Sequence, residues 1–236
     1  MNVNKTSQLL CAHSGLLFAF LLSIGIFGVA GWLPPQNPAL SALDVAQVFR
    51  DHPTKIRIGM TLLALGAVFW WSFAAAIAMQ MRRIEGQWSP MSYVQMAAAS
   101  GGTIAVLIPS YFWLAISYRP DTMSPEAAQM INDFCWLSFI GMYPPGLLQN
   151  LAIGACILLD KSGQKVYPRW LGYANIWIAV GFVPGALLVF FKGGPFAWNG
   201  VIGFWLVAVL FFAWIMLMWW LTVRAIKQQA ALAAAH

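Results

Sequence analysis

The chain has 236 residues, of which 61% are hydrophobic and only 8% are charged. A typical soluble domain is about 25% charged. The few ionisable side chains here, 13 Lys and Arg with 7 Asp and Glu, cannot build a surface that faces water. The formal net charge of +6 is spread along the chain rather than gathered into a basic stripe, which excludes a nucleic-acid-binding module. The composition indicates an integral membrane protein.

Long uncharged stretches predict an all-α bundle of six transmembrane helices in a single polytopic domain, residues 1–236. About 20 apolar residues in helix cross the hydrocarbon core, whereas a barrel strand would alternate apolar and polar residues. The apolar part of the first stretch is longer than the core of a secretory signal, so we expect it to be a helix of the mature protein. The predicted spans are approximately 14–33, 58–81, 91–117, 131–159, 170–191 and 198–223.

The distribution of Lys and Arg predicts that both termini lie in the cytoplasm, because more of the cations fall on the terminal side of the spans. We expect a bacterial-type inner (plasma) membrane. After the first span, residues 34–55 interleave apolar and polar side chains, a pattern typical of a short amphipathic helix along the membrane interface. Such a helix is either a lid over the bundle or a tether between spans.

The fourth span contains Pro144-Pro145, followed by Gly146, and is predicted to be broken there. A proline lacks the N–H for one helical hydrogen bond and clashes with the preceding turn. The polar Gln149 and Asn150 follow within the next turn. Two interpretations stay open for this break: a small, polar face that packs against a neighbouring helix, and a ligand site of the kind that transporters build at discontinuous helices.

Other side chains inside or near the spans are candidate ligand contacts. Asn175 lies in helix five, and Trp70 and Trp71 lie near the middle of helix two, where one could face lipid and the other a cavity. Arg57, at the head of helix two, is either an interface anchor or a clamp for a substrate. Asp133 is a candidate catalytic acid, because an acid within the membrane is a functional hypothesis by default; the alternative is an interfacial acid that pairs with a nearby arginine.

Metal and cofactor chemistry has little support in the sequence. The three cysteines form no CxxC pair, so a zinc site, an iron–sulfur site and a thiol relay are not indicated. His13 is the one histidine near the hydrocarbon and is only a remote candidate for a haem ligand. We therefore predict no metal site and no cofactor, and a bound lipid is left open.

These features favour a multi-pass membrane protein that binds or transports a small hydrophobic or amphipathic molecule, alone or within an oligomer or larger complex. The alternatives are an accessory subunit of a membrane enzyme complex and an intramembrane acid–base enzyme that acts on a lipid or terpenoid. The expected partners are membrane lipids, with a homo-oligomer or a partner membrane subunit left open, and no nucleic acid. So few reactive groups argue against an enzyme.

Overall fold

A computed structural model describes residues 4–234 of the chain and confirms the all-α membrane bundle. Six stretches of helix are long and apolar enough to cross a bilayer, which makes the chain a multi-pass membrane protein. These stretches are Lys5–Val29, Pro53–Glu85, Pro90–Tyr118, Pro125–Leu159, Arg169–Phe190 and Val201–Ala234.

The spans consist of α-helices, three of which are extended at one end by a short segment of another helix type. The α-helices are α1 (Lys5–Leu22), α2 (Ala42–Asp51), α3 (Pro53–Ala67), α4 (Phe69–Glu85), α5 (Pro90–Tyr118), α6 (Pro125–Gly141), α7 (Tyr143–Leu159), α8 (Arg169–Phe182) and α9 (Val207–Ala234). A π-helical segment, Ser23–Val29, continues α1, and another, Val201–Leu206, precedes α9. A 3₁₀ segment, Val183–Phe190, continues α8.

The predicted break in the fourth span is present, at Met142 between α6 and α7. Met142 is not helical, and the two prolines that follow it occupy the first turn of α7. A proline is tolerated in the first turn of a helix because the N–H groups there have no helical partner. The break therefore lies just before Pro144-Pro145 rather than at them.

The amphipathic helix after the first span is α2, which also confirms the prediction. Its N-terminus is fixed by a capping box, in which Ser41 and Asp44 exchange hydrogen bonds. The segment is bound to α6 and to the loop after α5. Gln129 donates to Leu40 O at 2.9 Å, and Arg50 Nε donates to Pro120 O at 3.2 Å.

Five of the six spans depart from regular α-helix partway along their length. The first, fifth and sixth change their helix type, after Leu22, after Phe182 and at Val207, and the second and fourth are interrupted, at Val68 and Met142. The third span, α5, is continuous but contains Pro109, which has no N–H to donate to the carbonyl four residues earlier. The irregular segments of the first, fifth and sixth spans continue from the middle of the bundle toward the α2 side.

Two glycines allow the first two spans to approach closely. A Cβ added at Gly25, in the π-helical segment, would lie 2.6 Å from Gly59 O of α3. Gly28, in the same segment, has more room, because an added Cβ would meet only Ile24 of its own segment, at 3.3 Å. A Cβ added at Gly59 would likewise meet Gly25 O, so the first span can reach α3 because neither glycine has a side chain.

We expect Gly25→Ala to destabilise the bundle, because a methyl group would force the two backbones apart. Overpacking of this kind costs about 1–3 kcal/mol. The measurement is thermal unfolding in mild detergent, with Gly28→Ala as the matched control. Equal melting temperatures for the two variants would show that the close approach of Gly25 and Gly59 is not a constraint on the fold.

Candidate ligand-binding cavity

A cavity of about 120 Å³ lies in the bundle at the level where the spans change their helix type. Each of the six spans contributes to its wall. The lining side chains of the described part of the chain are apolar or aromatic, apart from two glycines: Leu22, Phe27, Trp70, Gly102, Ala105, Val106, Phe139, Ile140, Met142, Tyr143, Gly146, Phe182, Phe204, Val207, Ala208, Phe211 and Phe212. Such a wall suits a hydrophobic molecule.

The irregular backbone is what opens this space. Leu22 and Phe182 are the last residues of α1 and α8, Val207 is the first residue of α9, Met142 is the break in the fourth span, and Tyr143 directly follows it. A change of helix type redirects a span, so the helices do not pack along their whole length. The cavity occupies the gap that remains.

A cluster of aromatic rings closes the bundle on the side that holds α2. The ring centroids of Trp32, Trp113 and Trp136 lie 5.0–5.6 Å from one another. Trp113 donates its indole N–H to Asn132 Oδ1 at 2.9 Å, so this buried polar group is satisfied. Phe139 belongs both to this cluster, 5.9 Å from Trp113, and to the cavity wall. The cluster separates the cavity from the α2 side.

Amide side chains and aromatic rings fill the bundle on the opposite side, where the first span begins and the sixth span ends. We call this the terminal side. Trp214 donates its indole N–H to Asn175 Oδ1 at 3.0 Å, and its ring lies 6.0 Å from that of Phe73. Gln149 donates to Gln95 Oε1 at 3.3 Å. All five side chains are buried. The cavity is therefore bounded by packed layers toward both sides of the membrane.

The cavity is not enclosed, and Met142 marks the side on which it opens. This residue is 37% exposed and is the most exposed of the lining residues, while Phe139 and Phe212, also in the wall, are half-buried. The outer surface of a membrane-spanning bundle faces lipid at this depth. The cavity is thus open sideways, toward the hydrocarbon, rather than toward water.

Two of the lining residues, Trp70 and Tyr143, carry a hydrogen-bond donor in their side chains. Trp70 is 5% exposed, and its indole nitrogen is fully covered with no acceptor within the described range 4–234. The ring of Phe18 stacks on Trp70 at 5.1 Å, and the ring of Phe211 lies at 5.5 Å. The hydroxyl of the half-buried Tyr143 also has no partner in that range, but it is not among the fully covered atoms.

Of the aromatic and charged candidates that the sequence indicates, the cavity includes Trp70. Its neighbour Trp71 is 39% exposed on the outer surface. Arg57 lies at the α2 side of the bundle. Its Nε donates to the carbonyl oxygen of Ser117, near the end of α5, at 2.9 Å. Arg57 thus joins α3 to α5, away from the cavity wall.

The three predicted amide ligands form bonds between or within helices and do not line the cavity. Gln149 joins α7 to α5, and Asn175 joins α8 to α9 through Trp214. Asn150 donates to Gly146 O at 2.8 Å, while its buried Oδ1 lacks a partner among the described residues. The small face of α7 packs on α8, where a Cβ added at Gly154 would lie 3.0 Å from Gly172 O.

The predicted catalytic acid and the remote haem ligand also lie outside the cavity. Asp133 is half-buried in α6 and forms no ion pair with Arg57 or with Arg119, the nearby arginines. The one ion pair within residues 4–234 joins Lys165 to Asp160. His13 is exposed, and its Nδ1 accepts a hydrogen bond from Trp219 at 3.1 Å. In the same part of the chain, no three His, Cys, Asp or Glu side chains converge as a metal site would require.

Most of the cavity wall was not predicted from the sequence. The phenylalanines at 27, 139, 182, 204, 211 and 212 resemble any other apolar residues of a span, and Tyr143 resembles an interfacial tyrosine. The signal that could have found Tyr143 is its position directly before Pro144-Pro145. Carbonyls freed at such a break are tolerated where they face protein or a cavity, so a residue beside the break is a candidate for a cavity wall.

The sequence matches no protein-family model, and it has no significant match among curated proteins or among solved structures.

We expect Asn175→Leu to destabilise the protein and Asn150→Leu to leave its stability unchanged or raised. Asn175 uses both amide atoms, so its loss would strand the indole N–H of Trp214, at a cost of about 1–3 kcal/mol. Asn150 has a buried oxygen without a partner in the described range, so an apolar side chain of similar size removes a desolvation cost. Thermal unfolding of both variants in the same detergent tests this contrast. A marked loss of stability in Asn150→Leu would contradict it.

Proposed function

We propose that this protein binds a small hydrophobic molecule that reaches the central cavity from within the membrane. The observation that carries the proposal is the apolar, aromatic cavity at the level of the helix breaks, open to the lipid side at Met142. In pockets for small molecules the wall is mostly apolar, with few polar groups. An enclosed apolar cavity of about 150 Å³ takes up benzene. This cavity, at about 120 Å³, is smaller but open at one side, so it can hold one ring or a short chain that extends into the opening.

Binding is favoured over a continuous channel by the two packed layers. The aromatic cluster around Trp113 lies on one side of the cavity and the Trp214–Asn175 layer on the other. A molecule could cross to either aqueous side only if one layer separated. Transport would therefore add a conformational change to the binding that we propose.

The helix break itself is consistent with a binding role. Pro144 and Pro145 have no N–H for the carbonyls of Ile140 and Gly141. Freed carbonyls at membrane depth are tolerated where they face protein or a cavity. Ile140 lines the cavity, and a Cβ added at Gly185 would lie 3.5 Å from its carbonyl oxygen.

Cavity filling tests the proposal. Ala208 lines the cavity, and Ala213, five residues further along α9, is exposed on the outer surface. We expect 1-ethyl-4-fluorobenzene to give a saturable bound ¹⁹F NMR signal with protein in nanodiscs, and unlabelled ethylbenzene to displace it. Ala208→Leu should weaken this binding about tenfold or more, because each added methylene takes space that the ligand needs.

The matched control is Ala213→Leu, which adds the same side chain toward lipid and should leave the bound signal unchanged. A signal that never saturates, or one that both variants reduce equally, would overturn the proposal. Either result would mean that the probe dissolves in the lipid around the bundle instead of occupying the cavity.

We also propose that the terminal side of the bundle faces the cytoplasm of a bacterial-type plasma membrane. The support is the distribution of charge. On the terminal side there are eight Lys and Arg and two acids, a net charge of +6 (8 − 2). The α2 side has five Lys and Arg and five acids, so that its net charge is zero. An excess of cations in short loops marks the cytoplasmic side.

Cysteine labelling on intact cells tests this orientation. Gly193 lies exposed in the loop after the fifth span and Lys161 in the loop after the fourth, on opposite sides of the bundle. A maleimide that cannot cross the membrane should label Gly193→Cys but not Lys161→Cys, with the unmodified protein as control. The reverse pattern would contradict the orientation.

A further inference from the structure

The position of Tyr143 is unusual for a tyrosine in a membrane protein. It lies near the middle of the fourth span, roughly 27 Å of straight helix from Pro125 and roughly 24 Å from Leu159, at 1.5 Å per residue. Tyrosines in membrane proteins are enriched at the interfaces, where the hydroxyl meets water. The hydroxyl of Tyr143 is far from both interfaces.

The ring of Tyr143 is held by the fifth span. A Cβ added at Gly185 would lie 3.4 Å from the Cβ of Tyr143 and 3.8 Å from its Cδ1. Gly185 is buried, so the ring packs against a backbone without a side chain. The tyrosine is therefore fixed at its base, beside the helix break, and its side chain forms part of the cavity wall.

Among the described residues, Tyr143 is the one lining residue whose side-chain hydrogen-bond donor is not fully covered. The indole nitrogen of Trp70 is fully covered, whereas the hydroxyl of Tyr143 is neither covered nor bonded to another described residue. A hydroxyl in hydrocarbon without a partner is costly, because it has lost its hydrogen bonds to water. A bound molecule with an acceptor atom would remove that cost.

We infer that the site selects membrane-soluble ring compounds that carry a carbonyl oxygen, and that Tyr143 donates its hydroxyl to this oxygen. The inference rests on the binding function proposed above and adds the class of ligand. A phenol is a donor as well as an acceptor, and a carbonyl oxygen is an acceptor that needs no donor in return. Phe182, Phe204 and Phe211 supply aromatic faces for the ring, and the opening at Met142 leaves room for an apolar tail.

A matched pair of probes tests this selectivity. 4′-Fluoroacetophenone and 1-ethyl-4-fluorobenzene have nearly the same shape and differ in a carbonyl against a methylene. We expect the affinity for the ketone, divided by the affinity for the hydrocarbon, to fall about two- to tenfold in Tyr143→Phe. This is the range for loss of one hydrogen bond. Partition of each probe into the nanodisc lipid is the same for both proteins and cancels in the comparison.

The control variant is Tyr111→Phe, which removes a hydroxyl from a tyrosine that is 63% exposed and does not line this cavity. Its affinity ratio should equal that of the unmodified protein. If the hydrocarbon probe binds saturably but Tyr143→Phe leaves the ratio unchanged, the inference fails and the proposed function stands. If neither probe binds saturably, the proposed function itself fails.

A second measurement uses the unmodified protein and so does not depend on the folding of any variant. The infrared carbonyl stretch of bound acetophenone should lie at lower frequency than the same band in alkane, because donation by a hydroxyl weakens the C=O bond. A band at the alkane frequency would overturn the inference.

Discussion

Within a bilayer, every backbone N–H and C=O group must find a partner inside the protein, and this constraint governs the structure. Regular helix meets it along most of each span. Where prolines follow a break, as after Met142, they offer no N–H to the carbonyls of the preceding turn. Residues at these departures, Leu22, Met142, Phe182 and Val207, lie at one level of the bundle and line the cavity. The cavity is a consequence of that arrangement.

The need for a hydrogen-bond partner inside the protein also applies to the side chains in the layers on either side of the cavity. The indole groups of Trp113 and Trp214 each donate to a buried amide oxygen, of Asn132 and Asn175 respectively. These bonds satisfy polar groups that would otherwise be costly in an apolar interior. Polar side chains thus fix the packed layers, and apolar side chains line the space between them.

Much of the fold can be predicted from the sequence, because hydrocarbon imposes a strong and simple pattern. The six spans, the break near Pro144 and the amphipathic α2 all follow from apolar run length, proline chemistry and alternation. The π-helical segments at Ser23–Val29 and Val201–Leu206 do not, because an inserted residue leaves no mark in composition. The exact site of the break was off by two residues, since the prolines begin α7 instead of ending α6.

The candidate site is harder to read from the sequence. Polar residues within spans attract attention, yet Gln149 and Asn175 join helices, while the cavity is lined by phenylalanines that no local pattern distinguishes. Trp70 and Trp71 illustrate the difficulty: adjacent and identical, one lies in the wall and the other on the lipid surface. Which one faces inward depends on how α4 is rotated against its neighbours, and this is set by long-range packing.

The most direct test of the account is the position of a heavy atom in a bound probe. Crystals of the protein soaked with 1-bromo-4-ethylbenzene would reveal the bromine by its anomalous scattering. The account predicts a bromine peak between Trp70, Tyr143 and Phe211, within the cavity. Bromine found only on the lipid-facing surface, with none among these three side chains, would contradict it.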